Sequence, residues 1–127
     1  MDFRENPAIY IQIAEWVCEQ VLLGKWKEGE RITSIRDLAI NMEVNPNTVQ
    51  RAYDILQQHE IITNKRGMGI FIETDAIERI LSFRREQFME NEFPVFLRNI
   101  YLLKIDPKEI VRHYEKFVKD NFKNKLK

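Results

Sequence analysis

The chain has one cysteine, Cys18, in 127 residues, which rules out an internal disulfide, a CxxC redox pair and a thiolate metal cluster. Cys18 stands among apolar neighbours in a helical stretch, where a buried, inert thiol is the expected role. Long apolar runs are also missing. None approaches the ~20 residues of a membrane span, and the first residues include Asp2, Arg4 and Glu5 instead of a basic stretch leading into an apolar one. A soluble, unexported, cytoplasmic protein with no membrane partner is expected. Net charge is absent too, with 20 basic against 20 acidic side chains, which argues against a protein that grips nucleic acid by electrostatics alone. Reactive constellations are scarce. His59 and His113 are far apart in sequence, no serine or cysteine carries the signature of a neighbouring base, and Glu90 and Glu92 lie on a polar helical stretch. Glu109 and His113 have i, i+4 spacing, but nothing supplies further metal ligands. Gly67-Met68-Gly69 lacks the third glycine, the lysine-serine pair and the following helix of a nucleotide-binding loop. No catalysis, cofactor or metal is expected.

What is present is a regular succession of helix starts. With 44% apolar residues, the chain can bury one modest core and a second small helical unit that needs a partner. Asn6-Pro7 reads as a cap followed by proline at the first helical position, with Tyr10, Ile13, Ala14, Val17 and Val21 on one face and Gly24 at the end. Lys25 to Arg31 reads as a surface turn. Ser34 with Asp37 three residues on predicts a capped second helix that buries Ile35, Leu38 and Ala39 and ends near Met42. Asn45-Pro46 starts a third, whose Val49, Ala52, Tyr53 and Leu56 form a buried stripe. Ile61-Ile62-Thr63 and Ile70-Phe71-Ile72 are β-prone runs joined through a basic, glycine-bearing tip. The fold class is therefore mainly α with a small β-hairpin: a winged helix-turn-helix domain over residues 1–74. From Asp75 the pattern is helical throughout, with Ile77, Ile80, Leu81 and Phe88 on one helix and Phe96, Leu97, Ile100 and Leu103 on a second. Ile110, Val111, Tyr114, Phe117, Val118 and Phe122 mark a third, capped at Asp106-Pro107. Lys123 to Lys127 are expected to fray.

In a helix-turn-helix the second helix enters the major groove amino end first. Asn45, Asn47, Thr48, Gln50 and Arg51 occupy its first outward positions. Asn and Gln bond adenine bidentately, Arg bonds guanine, and Thr serves a phosphate or a thymine methyl. Arg36 in the preceding helix is placed for the backbone or a guanine, and Lys65 and Arg66 sit at a wing where Gly67 and Gly69 allow close approach to the minor groove. With Ser34 at the head of the second helix, these residues are the expected DNA-binding set. The alternatives are a solvated helix face with a proline start for the third helix, an exposed arginine pairing with Asp37 or Glu43 for Arg36, and a plain hairpin with a charged tip for the wing. Residues 1–74 carry eight bases against eleven acids, so affinity has to come from where the charges sit.

Segments 7–13, 24–32, 34–39, 44–53 and 66–72, in this order and spacing, resemble the DNA-binding domain of GntR-type bacterial transcription regulators. The short helical tail is similar to that of the YtrA-like subfamily, whose small carboxy-terminal unit serves mainly to dimerise. The resemblance implies that Arg36 contacts DNA and that Asn45, Asn47, Thr48 and Gln50 line the start of the recognition helix. It further implies that Arg51 supports that helix and that Arg66, Gly67 and Gly69 form the wing tip. Many members have arginine where Gln50 stands, which shifts the base preference, and proline where Thr33 stands, which leaves the lead into the second helix less rigid. The resemblance also suggests repression of neighbouring transport genes.

One winged domain covers few base pairs, so a two-fold homodimer on a pseudo-palindromic double-stranded operator is expected. Residues 75–127 hold more aromatics than so short a unit hides alone, and Ile77, Ile80, Leu81, Phe88, Phe96, Ile100, Leu103, Tyr114 and Phe117 are the expected dimer interface. A small bundle packed on the winged domain is the alternative. Such a tail leaves little room for an enclosed pocket of ~300 Å³, so any small-molecule effector, unidentified from sequence, would lodge between subunits. The functional expectation is a sequence-specific repressor. A winged-helix protein-interaction module without sequence-specific DNA binding is the alternative.

Overall fold

The computed structural model describes residues 7–122, which form two compact units dividing after Arg85. In the first, helix α1 (Ile9–Leu22) buries Ile13, Ala14, Val17, Cys18 and Val21. Its start differs from the expected one. Asn6 lies outside the described residues, Ala8 is the cap residue with no side-chain bond, and Pro7 precedes the cap. The Gln12 amide donates to the Pro7 carbonyl at 2.8 Å, tying the incoming chain to the helix.

Helix α2 (Ile35–Met42) begins at Ser34, whose hydroxyl accepts from the Asp37 N–H at 3.1 Å. It ends at Glu43, which adopts the left-handed conformation (φ 56°), and the Val44 N–H donates back to the Ala39 carbonyl at 3.0 Å. Helix α3 (Pro46–Gln58) follows at once, capped by Asn45, whose carboxamide oxygen accepts from the Asn47 N–H at 2.8 Å. Its stripe of Val49, Ala52, Tyr53 and Leu56 is fully buried. The Tyr53 hydroxyl donates to the Thr33 carbonyl at 2.7 Å, so the segment leading into α2, which lacks a proline at Thr33, is held by a bond from α3.

Strands β1 (Ile62–Lys65) and β2 (Gly69–Ile72) pair antiparallel, Ile62 opposite Ile72 and Lys65 opposite Gly69. Between them the Met68 N–H donates to the Lys65 carbonyl at 2.8 Å, closing the tip, with Gly67 at φ 78°. The segment expected as a surface turn takes part in this sheet. Arg31 bridges Phe71, the Ile32 N–H donates to the Ile70 carbonyl at 2.8 Å, and the Ile72 N–H donates to the Glu30 carbonyl at 3.0 Å. The outer edge of β2 would otherwise present unpaired backbone groups, and residues 30–32 satisfy them.

Helix α4 (Ala76–Gln87) extends the first unit past the expected boundary at residue 74. Ala76 and Ile80, four residues apart, are both buried in the core of the winged domain. Phe83 stacks on His59 with ring centroids 3.9 Å apart, Arg79 pairs with Glu60, and the Glu28 carboxylate accepts from the Ile77 N–H at 3.0 Å at the start of the helix. Ile80 is therefore a core residue, not part of a dimer interface. Ile77 and Leu81 stay exposed.

The second unit holds α5 (Phe93–Leu102) and α6 (Pro107–Asn121). Where a break between helices is expected, residues Phe88–Glu92 form a π-helical turn. Pro94, in the first turn of α5, has no N–H and crowds the carbonyl four residues back, and the widened turn accommodates it. Helix α6 starts as expected, with the Asp106 carboxylate accepting from the Lys108 N–H at 2.9 Å. No described residue of this unit is buried. Lys123 to Lys127 lie outside the described residues, and among those described no helix is long and apolar enough to cross a membrane.

Candidate nucleic-acid interface

Pairing the periodicity of α3 with its proline start fixes which side chains face outward. With Val49, Ala52, Tyr53 and Leu56 inside, Asn45, Asn47, Gln50 and Arg51 are exposed and Thr48 is half-buried at the edge. Two of these carry internal bonds. The Gln50 amide N–H donates to Asp54 at 2.9 Å, and the Arg51 guanidinium lies 3.9 Å from the centre of the Tyr10 ring. Asn45 is spent in part on its cap and Ser34 likewise, while Arg36 is exposed in the first turn of α2. These residues lie on two packed helices joined by the Glu43 turn, and Tyr53 fixes the approach to α2.

The charge balance that counts against DNA binding in the sequence changes character in three dimensions. Glu15 and Glu19 pair with Arg84 at 3.4 and 3.8 Å, Glu60 pairs with Arg79, and Glu28 accepts at the start of α4. Asp54 is engaged by Gln50, and the Glu30 carboxylate accepts from the Lys27 N–H at 3.2 Å. By contrast, among the described residues Arg31, Arg36, Arg51, Lys65 and Arg66 form no ion pair. Three of the acids, Glu15, Glu19 and Glu60, are paired with arginines of α4, away from the helix-turn-helix and the hairpin tip. The cations of the helix-turn-helix and wing keep their donors.

At the wing, Lys65 to Gly67 are exposed and the Lys65 ammonium rests 4.6 Å from the Phe71 ring centre. Gly69 has φ 119°, and a Cβ there would meet Arg31 Nε at 2.6 Å. Arg31 thus belongs to the wing, although its position in an apparent surface turn carries no signal of this. Asp54, on the same outer face of α3 as Gln50, orients it across one helical turn, as i, i+4 spacing allows.

Elsewhere the titratable groups behave as structural ones. Cys18 is buried, and desolvation pushes its thiol up to about 11, against the opposing pull of Arg84. Burial likewise raises the Tyr53 phenol. Glu109 and His113 approach to 3.7 Å, and among the described residues no three His, Cys, Asp or Glu side chains gather as a metal site.

Comparison with known proteins agrees with this geometry. The chain is 35% identical over 94 residues to the HTH-type transcriptional repressor YtrA of Bacillus subtilis, spanning 71% of this chain and 72% of that protein. A solved GntR-family putative regulator from Bacteroides thetaiotaomicron is 44% identical with a TM-score of 0.68, covering 89% of this chain and 98% of its own. A GntR-family transcriptional regulator from Listeria monocytogenes is 33% identical with a TM-score of 0.71, covering 90% and 98%. The family described as bacterial regulatory proteins, gntR family, matches residues 9–72, half of the chain and the whole helix-turn-helix and hairpin. These are regulatory proteins and not enzymes, and the chain belongs to the GntR family of bacterial regulatory proteins.

Proposed function

We propose that this chain is a cytoplasmic, homodimeric repressor that binds a pseudo-palindromic operator in double-stranded DNA. Helix α3 enters the major groove amino end first and offers Asn45, Asn47, Thr48 and Gln50 to base edges. Arg36 and Ser34 face the flanking backbone from α2, Arg51 braces α3 through Tyr10, and Lys65, Arg66, Gly67 and Gly69 bring the wing to the minor groove. The observation that carries this reading is the set of cations on α2, α3 and the wing that, among the described residues, have no carboxylate partner, while Glu15, Glu19 and Glu60 are paired with arginines of α4.

The dimer rests on the second unit. Phe88, Phe96, Leu103, Tyr114 and Phe117 are 43–69% exposed there, Ile100 is half-buried, and no described residue of the unit is buried. A symmetric partner supplies the missing core. In the first unit, Ile77 and Leu81 of α4 are exposed and are proposed as further dimer contacts. Repression follows from similarity to a protein named as a repressor. Any small-molecule effector binds between subunits.

Selection of bound duplexes from a random pool tests the proposal. The expected product is one sequence with two related half-sites, bound by a dimer in sedimentation. Arg36→Ala and Thr48→Ala lower affinity for it by about fivefold or more, since each removes a DNA contact of ~1 to 3 kcal/mol. If no sequence is enriched and both variants still bind partner protein normally, the chain is a winged-helix protein-interaction module instead.

A further inference from the structure

We propose that Arg31 is a DNA-binding residue of the wing, holding a backbone phosphate beside the groove that the hairpin approaches; this rests on the DNA-binding reading above. Arg31 lies far from the hairpin in sequence, yet its backbone bridges Phe71 and makes residues 30–32 a third edge of the sheet. Paired residues across adjacent strands share a face, and alternate residues along a strand share a face. Arg31 opposite Phe71, Gly69 two residues before Phe71, and Lys65 opposite Gly69 therefore all lie on one side. Ile62 and Ile72, one step along each strand, turn the other side into the buried core.

The outer face is thus cationic at both ends of a glycine. The Arg31 side chain occupies the space of the missing Gly69 side chain, with Nε 2.6 Å and Cζ 3.1 Å from where a Cβ would stand. Lys65 reaches the same patch over the Phe71 ring, at 4.6 Å from its centre. Among the described residues neither cation has a carboxylate partner, and Arg31 is exposed. A guanidinium seated beside Gly69, with no ion pair among the described residues, is free to offer its fork of donors to a phosphate in bidentate geometry. Such a contact is blind to sequence and sets register.

The test uses full-length protein and the duplex enriched by selection, with affinity measured by fluorescence anisotropy at several salt concentrations. Arg31→Gln is expected to weaken binding about 3- to 10-fold at fixed salt, on the selected duplex and on a scrambled one alike. The slope of log affinity against log salt becomes shallower by ~0.9 for each phosphate no longer neutralised, or about 1.8 for a dimer. An unchanged melting temperature for Arg31→Gln excludes a folding defect. Wild-type-like affinity and slope in Arg31→Gln, in a protein whose wild type selects a sequence, overturns this assignment alone. A wild type that selects no sequence overturns it together with the DNA-binding reading.

Discussion

Replacing Tyr53 by Phe probes the joint on which the helix-turn-helix depends. The ring is 2% exposed, and phenylalanine fills its site, so the perturbation is confined to one hydroxyl. That hydroxyl donates to the Thr33 carbonyl at 2.7 Å, across twenty residues of sequence. A net intramolecular hydrogen bond contributes about 0.5 to 1.5 kcal/mol, and a carbonyl left without its partner adds up to ~1 more. Thr33 is half-buried, so water recovers part of that second contribution. A loss of about 1 to 2 kcal/mol is expected, which for a unit of this size lowers the melting temperature by roughly 4 to 16 °C at fixed protein concentration. Amide exchange measures where the loss falls: the Asp37 and Leu38 N–H groups, bonded to Ser34 just after Thr33, exchange faster, while α1 keeps its protection. There is a pH signature as well. Burial raises the Tyr53 phenol above its ordinary 10.0, so the folded state holds this proton more tightly than the unfolded state. The associated stability is complete below about pH 10 and is lost as pH rises beyond it, and Tyr53→Phe abolishes that alkaline loss. An unchanged melting temperature would refute the role given to the bond. A fall of about 3 to 5 kcal/mol, the scale of truncating a core phenylalanine to alanine, would show that the ring had moved and not merely its hydroxyl gone.

Ile80→Ala is expected to destabilise the winged domain by about 2 to 4 kcal/mol in denaturant melts, because Ile80 is fully buried in that core. Leu81→Ala, at a site 52% exposed, costs the fold under ~1 kcal/mol but raises the dimer dissociation constant in sedimentation; equal effects of the two would contradict their separate placement. Asn45→Ala removes the α3 cap and costs ~1 kcal/mol in thermal melts, and Asn45→Ser restores most of it. The Cys18 thiol, buried and raised to about 11, is expected to resist a thiol reagent at pH 8 until denaturant is added, and immediate labelling would place it at the surface.

Local chemistry made the geometry of the candidate site's helices legible. The caps at Ser34, Asn45 and Asp106 are decided within three residues, and the apolar spacing of Val49, Ala52, Tyr53 and Leu56 leaves only one face for Asn47, Gln50 and Arg51. The amino end of α1 was less legible, because Ala8 stands at the cap and offers no capping atom. The helical pattern after Asp75 was also clear, but periodicity says that a face is apolar without saying what covers it. Ile80 and Leu81 look alike in sequence; one meets the winged core and the other does not.

Turn chemistry and hydrophobic period act over a few residues, so the order of elements, the capped start of α3 and the hairpin with its glycine tip could be read locally. The ion pairs and the domain's edge came from packing in three dimensions. Arg84 draws Glu15 and Glu19 together, Glu28 reaches the start of α4, and Arg31 joins a wing whose strands begin thirty residues later. Ion pairs, edge pairing and burial depend on distances between parts of the chain remote in sequence, and no local pattern encodes them.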